Sequence, residues 1–466
     1  MKAHITVGAY SDPVHHRTRT AANVHELRVV NQLLCNKEAI PSPTRDIQQL
    51  SQIHTVAKIC LIGPTHISRN PRLVRNAECL AAAGHEVVVV YPEHLPGFLE
   101  HDHKITDTTH WKIKSIDFLS SPLSRLNLFA VRLRSKVFSQ VQLKHRPFLA
   151  RSYGYFGPEL ARAASKIRAD FYIAQQQVTA MAAATAARQM RAPFAIDVED
   201  LLSEHSEEAS EALRAIERRL FTRCAFLCTM SYPAAEHLAS QYPLEQPPVV
   251  LHNCMSTTEA KTLAPPSCRQ QSSILSLYWF GQTIGPHCCA EQILHAAALL
   301  PFRVQLTLRG NFPRDGYISS LLALEEKLQI SGTLQIEAGA SPDEMVRLAG
   351  EHDICFGTQP SGQLFHELAI GNKVFTGMMA GCAVALSDTI AHRHLIQQKP
   401  GWAFLFRNED PSSLADQLIA LKSDSSLLQE MRSTAWNVAH AYYCWEKESQ
   451  NLVAAVERTL SRTVRT

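Results

Sequence analysis

Short apolar runs alternate with amphipathic stretches along most of this chain. AKICLIG, from Ala57, reads as a buried strand, and GPTHISRNP after it as a polar loop. PRLVRNAECLAAAG then repeats its apolar residues at helical spacing. Pro71 suits the first turn of that helix, Asn70 its N-cap and Gly84 its C-terminal stop. HEVVVVYP is a second strand. A strand–helix–strand unit of this kind predicts parallel pairing with a right-handed crossover. The alternation continues with strands DFYIA, PFAIDVED, AFLCTMS and PVVLHNC, and with helices over 179–190 and 213–223.

Residues 255–273, which contain APPS, break the pattern and read as a linker. A second series follows. ILSLYWFG is a strand, QTIGPHCC a loop and AEQILHAAALL a helix; RVQLTLRG and TLQIEAG are strands, SPDEMVRLAGEH a helix and DICFGTQ a strand. NKVFTGMMAGCAVALSD, residues 372–388, carries most information. Its first half has the spacing of a short helix, Gly381 stands where a helix needs a residue tolerant of positive φ, and CAVAL is a strand buried on both faces. GWAFLF, a helix over 411–422 and a long amphipathic helix over 445–460 close the chain. The pattern therefore predicts an α/β protein of two successive doubly wound, Rossmann-like domains. Residues 1–56 form a polar, His-rich extension with one helical stretch near Ala22–Leu34. Residues 57–255 form the first domain, 256–273 the linker and 274–444 the second domain.

Composition narrows the class. The chain has 466 residues, enough for two large cores. Its 46 basic residues nearly match its 43 acidic ones, so nothing points to a nucleic-acid binder. The 12 cysteines form no paired C-x-x-C knuckle, which speaks against a zinc site and for a reducing, cytoplasmic setting. The start lacks the apolar core of a secretory signal, and no window reaches the ~18 apolar residues of a membrane span. Any membrane role is thus peripheral. Residues 123–151 are the main charge asymmetry: seven Lys or Arg, no acid, and interleaved Leu, Val and Phe. Such a segment suits an anionic leaflet, or else a solvated helix face.

In order along the chain, LIGPTHISRNPRLVRNAECLAAAGHEVVVV, IDVEDLLSEH, VVLHNC, YWFGQTIGP, TLRG, SPDEMVRLAGEHDICF and NKVFTGMMAGCAV resemble motifs of nucleotide-sugar glycosyltransferases. These are enzymes of the two-domain GT-B fold, in the large retaining, family-4-like group of bacterial transferases. The resemblance spans roughly residues 58–460. It implies two domains facing across a cleft, with the last helix crossing back to the first. It also implies a nucleoside-diphosphate sugar on the second domain, no cofactor and no metal. The acceptor would be a saccharide, lipid-linked or other hydroxyl on the first domain.

The resemblance also assigns roles. Lys373 would stabilise the leaving diphosphate, with Arg309 a second cation; Gly281, Gln282, Gly310, Asn372 and Thr376 would hold the donor. Gly63, His66 and Arg69 would contact the acceptor, and Asp197 or Glu199 would position its hydroxyl or take its proton. Two departures stand out. Thr376 occupies the place of the usual glutamate, and Gln282, His287, Cys288 and Cys289 replace the usual basic residues after Gly281. Thr accepts fewer hydrogen bonds than a carboxylate, and Gln carries no charge. These departures motivate an alternative, a catalytically impaired binding or partner subunit; a different GT-B enzyme such as an epimerase is a third reading. The sequence does not name the sugar, the base, the acceptor or the oligomeric state.

Overall fold

The computed structural model describes residues 56–140, 156–204, 207–269, 272–312 and 316–464. The N-terminal extension to residue 55, with its expected helix, lies outside the described residues, as do His205, Lys144, Arg146 and Arg151. The chain divides into two compact units.

The N-terminal unit runs through Ser256. Its elements are β1 (Lys58–Ile62), α1 (Pro71–Ala82), β2 (Glu86–Glu93), α2 (Leu99–Thr106), β3 (Lys112–Asp117), α3 (Pro122–Gln140) and α4 (Gly157–Ala164). They continue with β4 (Phe171–Gln175), α5 (Gln177–Met190), β5 (Phe194–Val198), α6 (Glu207–Leu220), β6 (Leu227–Thr229), α7 (Tyr232–Gln241) and β7 (Val249–Val250). The strands form one parallel sheet in the order β3-β2-β1-β4-β5-β6-β7. Alternate strand residues feed two cores, one on each face. Cys60, Ile62, Tyr172 and Ile196 pack on one face, Ile59, Leu61, Phe171 and Ile173 on the other. As its sequence suggests, α1 starts on Pro71, and the Asn70 side chain accepts the Leu73 amide at 3.0 Å. Strand β3 and helix α7 escaped the sequence pattern. KIKSID puts Lys at 112 and 114, two alternate positions of an edge strand, and a Pro sits in the first turn of α7.

The C-terminal unit comprises residues 257–360 and 373–442. Along the rest of the chain come β8 (Leu275–Thr283), α8 (Ala290–Ala298), β9 (Val304–Asn311), α9 (Tyr317–Lys327), β10 (Leu334–Glu337), α10 (Met345–Ala349), β11 (Ile354–Gly357) and α11 (Leu364–Leu368). They are followed by α12 (Asn372–Met379), β12 (Ala383–Ser387), α13 (Ile390–Gln398), β13 (Ala403–Phe406), α14 (Pro411–Ser423), α15 (Ser425–Ala441) and α16 (Trp445–Val464). The second sheet is also parallel, in the order β10-β9-β8-β11-β12-β13. Gly381 ends the α12 turn with φ of +69°, and a Cβ there would lie 2.5 Å from Pro266 Cγ. Only glycine meets both conditions without strain.

Two late segments belong to the N-terminal unit. In residues 361–372, Leu368 is buried in its core and its carbonyl accepts the Ser231 hydroxyl at 2.5 Å. In residues 443–464, α16 buries Leu452, Val456 and Leu460 with the β1 and β2 core residues. Glu448, in the first turn of α16, accepts the His252 amide at 3.0 Å and Nδ1–H at 2.9 Å.

Candidate active site

In parallel sheets, ligands bind outside the carboxyl ends of the strands where the strand order reverses. In the C-terminal unit that point lies between β8 and β11. The chain leaves β8 through Gly281 and Gln282, passes Gly285 and His287, and enters α8 after Cys289, whose φ is +54°. Gly281 and Gly310 pack against each other. A Cβ on Gly310 would lie 2.8 Å from the Gly281 carbonyl, and one on Gly281 would lie 2.5 Å from the Trp279 ring. A side chain at Gly310 would push the two strand ends apart, and one at Gly281 would displace the Trp279 indole.

Trp279 organises this edge. It is fully buried, and its indole N–H donates to Thr358 Oγ1 at 3.0 Å, tying β8 to the residue after β11. The His287 ring stands 5.6 Å from it. Lys373, the second residue of α12, places Nζ 5.1 Å from the Trp279 ring, a cation–π contact. Lys373 is half-buried, and burial pushes its ammonium below the ordinary lysine value. No carboxylate among the described residues pairs with it. His287 is exposed, and its pKa is lowered first by partial burial and then by the charge of Lys373. The site therefore presents an unpaired cation, a neutral imidazole and exposed Gln282 at a strand end.

The other donor-side residues divide. Asn372 is exposed and opens α12, next to Lys373, whereas Thr376 lies one turn further on and is 1% exposed. Arg309 follows Leu308, whose side chain packs in the same core as Trp279, so alternation turns it to the opposite sheet face. It donates to the Ala338 carbonyl at 3.0 Å and sits 3.8 Å from Glu337. Its guanidinium thus braces the end of β10 rather than joining Lys373.

The corresponding reversal in the N-terminal unit lies between β1 and β4. Arg72, fully buried on α1, reaches Asp197 at the end of β5 through Nε and Nη2, both at 2.8 Å, and the Leu251 carbonyl through Nη1 at 2.6 Å. Asn76 and Gln175 donate to the same carboxylate at 3.1 and 3.2 Å. Asp197 is 1% exposed, with both oxygens occupied. Its geometry is that of an anchor for Arg72, not of a group held ready for an acceptor proton.

Glu199, two residues on, is different. It is half-buried and accepts a side-chain hydrogen bond from Gln175 at 3.2 Å. Burial, outweighing Arg72 and reinforced by Asp200 and Asp197, pushes its carboxyl up to about 7. Beside it Gln176 adopts φ +64° and ψ 159°, a region that side-chain-bearing residues rarely occupy, while its amide donates to the Asp197 carbonyl at 2.9 Å. Such strain gathers at functional sites.

The acceptor-side residues of the β1 loop also divide. His66 is fully buried. Its Nδ1–H donates to Asp102 at 2.6 Å and its Nε2 accepts the amides of His94 and Leu95 at 3.0 and 2.9 Å. Every position on the ring is used, so His66 holds the loops after β1 and β2 together. Burial raises the Asp102 carboxyl, but hydrogen bonds from His66 and Ser68 outweigh it and leave the pKa below the ordinary value. Arg69 is exposed, its guanidinium 5.2 Å from the Phe98 ring. Gly63 continues β1 and donates its amide to the Val90 carbonyl at 2.8 Å.

The sequence reading passed over Trp279, Arg72, Asn76, Gln175 and Asp102. A signal existed for two of them: Arg72 and Asn76 fall at i and i+4, beside Leu73 and Ala77, on the buried side of α1.

Residues 70–254 match the family model of the glycosyl transferase 4-like domain. Among solved structures, the chain is similar to HepE of Anabaena in complex with UDP and glucose, at 15% identity and a TM-score of 0.64, over 86% of this chain and 100% of that one. It is similar to a glycosyltransferase of Rickettsia africae at 13% identity and a TM-score of 0.63, over 87% and 99% of the two chains. It is also similar to sucrose-phosphate synthase of Thermosynechococcus elongatus at 13% identity and a TM-score of 0.64, again over 87% and 99%. At these identities the likeness is one of fold. A search of curated protein sequences gives no significant match. The chain has the GT-B fold of these structures, and the match to the glycosyl transferase 4-like domain covers residues 70–254 of it.

Proposed function

From a chain with this domain and fold, we propose an enzyme that moves a sugar from a uridine-diphosphate sugar to a hydroxyl acceptor, with retention of configuration and without a metal. The observation that carries this reading is Lys373, an unpaired, half-buried cation at the reversal point of the second sheet. Holding a lysine there without a carboxylate is costly unless a ligand brings negative charge. The two phosphates of the donor bring that charge, and it increases on the leaving group as the glycosidic bond breaks. Gln282, Asn372 and the backbone near Gly281 add neutral donors. The complexes of HepE with UDP and glucose and with UDP-glucose support a uridine donor on this fold.

On the acceptor side, Glu199 fits a group that receives or orients the hydroxyl proton, because a carboxyl near neutrality exchanges protons at working pH. The exposed cation Arg69 fits a contact to an anionic or polar acceptor. Asp197 then acts through Arg72, and His66 through the loops it pins. The acceptor belongs to polysaccharide or glycolipid synthesis and is met at the inner, anionic membrane surface. The basic, acid-free helix α3 supports that placement, and no described helix is long and apolar enough to cross a membrane.

A second reading, a partner subunit that binds nucleotide without turning it over, draws on buried Thr376 in the place of glutamate and on Arg309 being engaged elsewhere. Incubating the full chain with a panel of nucleotide sugars and membrane extract separates the two. Transfer with UDP release, an α product from an α donor by NMR, and indifference to EDTA support the enzyme. UDP binding without release supports the subunit, and no binding of any nucleoside diphosphate overturns both.

A further inference from the structure

Helix α3 keeps two large apolar residues, Leu128 and Val131, in the core of the N-terminal unit. Its other apolar residues face outward. Leu123, Leu126, Phe129 and Leu133 are 52–67% exposed. At about 100° per residue they fall within an arc of roughly 120° on one side of the helix. Four large apolar side chains in one exposed stripe form a patch that a soluble surface rarely leaves bare.

Cations border the stripe on both sides. Arg125, Arg132 and Lys136 lie along one flank, all exposed, and the helix contains no acid. Along the other flank runs a groove of about 570 Å³ between β3, α3 and α4. Asn127, Ala130 and Arg134 of α3 form one wall; Lys114 on β3 and Arg162 and Lys166 on and after α4 supply three further cations. The two acids at this groove are committed. Glu159 holds Arg134 at 2.7 and 2.8 Å, and Asp117 accepts the Leu119 and Ser120 amides and the Ser124 hydroxyl at the start of α3. Those bonds, led by the Ser120 hydroxyl, keep the Asp117 carboxyl ionised well below its ordinary value. Lys114, Arg162 and Lys166 are exposed and have no ion-pair partner among the described residues.

We propose that α3 lies in the surface of an anionic phospholipid membrane, with its apolar stripe among the acyl chains and the Lys114–Arg162–Lys166 groove holding lipid headgroup phosphates. The proposal rests on the membrane-surface part of the function proposed above and deepens it by naming the side chains that enter the leaflet and the groove that holds its phosphates. The occupant follows from charge and polarity together. An apolar strip between two rows of cations complements a leaflet whose apolar interior lies beneath a plane of phosphates. An acidic protein partner would pair with the cations but leave the stripe against charge.

The test is co-sedimentation of the full chain with vesicles of phosphatidylcholine alone and of phosphatidylcholine with an equal part of phosphatidylglycerol. Binding is expected only to the mixed vesicles, and it should weaken as salt is raised. K114Q/R162Q/K166Q should weaken it roughly fivefold per cation, about a hundredfold together. L126S/F129S should abolish it. All five side chains are exposed, so melting temperature and the thermal shift with UDP should stay as in the parent; that readout separates failure of this proposal from failure of the donor site. Equal binding to both vesicle types, or parental binding by either variant, overturns the proposal. So does concentration-dependent self-association without lipid that L126S/F129S removes, which would give the stripe to a second copy of the chain.

Discussion

Replacing Asp197 by Asn tests the reading that this residue anchors Arg72. The substitution keeps shape and removes charge. Arg72 and Asp197 are buried, and Asp197 accepts four hydrogen bonds of 2.8–3.2 Å from Arg72, Asn76 and Gln175. Asn keeps one acceptor oxygen but turns an NH2 group towards the remaining donors, and it deprives the guanidinium of the carboxylate that faces it, leaving the Leu251 carbonyl bond intact. Breaking one side of a buried pair costs about 3–5 kcal/mol, a factor of roughly 150 to several thousand in the opening equilibrium. Because a two-unit chain need not unfold in one step, the assay is native-state hydrogen exchange on peptides covering β1, β4 and β5. Their opening free energy should fall by that amount, while β8 and β11 exchange as before. R72M/D197L should recover most of the loss, since an apolar pair of similar volume often matches a buried ion pair. A change below about 0.5 kcal/mol in D197N would refute the anchor and return Asp197 to the list of acceptor-side carboxylates.

Lys373→Gln should lower kcat about a hundredfold, the scale of removing one transition-state charge donor, while Lys373→Arg keeps part of the rate; steady-state kinetics decide. Glu199 gives a pH signature. Its folded pKa lies above the ordinary 4.5, near 7, so ionising it opposes folding, and stability from this carboxyl falls as pH rises from about 4.5 to 7. Urea melts across that window should show the slope, Glu199→Gln should flatten it, and transfer rate should rise through the same interval only in the parent. Gly381→Ala combines left-handed backbone with contact to Pro266 and should destabilise the C-terminal unit by about 2 kcal/mol or more in thermal melts.

Much of the fold was legible because buried parallel strands read as unbroken apolar runs and because caps announce helices. Asn70–Pro71 and Gly381 are local signals with local causes. The edge strand β3 was not legible, since an edge half-exposed to water tolerates Lys at alternate positions, here 112 and 114. The assignment of residues 361–372 to the N-terminal unit was not legible either. It depends on Leu368 and its bond to Ser231, a contact 137 residues apart in the chain. Within the site, Lys373 stood out by its place at a helix start. Its unpaired state depends on which carboxylates the fold keeps away, and no spacing reveals that. His66 and Arg309 illustrate the converse. Their residue types and loop positions suit a ligand, but partners distant in sequence fix them elsewhere: Asp102 takes the His66 Nδ1–H, and the Ala338 carbonyl and Glu337 hold the Arg309 guanidinium at the end of β10.

The central claim is that the strand end around Trp279, His287 and Lys373 receives the donor diphosphate. Hydrogen exchange of the full chain with and without saturating UDP tests it directly. The account predicts slower exchange in residues 281–290 and 372–379, lost in Lys373→Gln. UDP that binds without protecting either segment, or protects them equally in that variant, would contradict it.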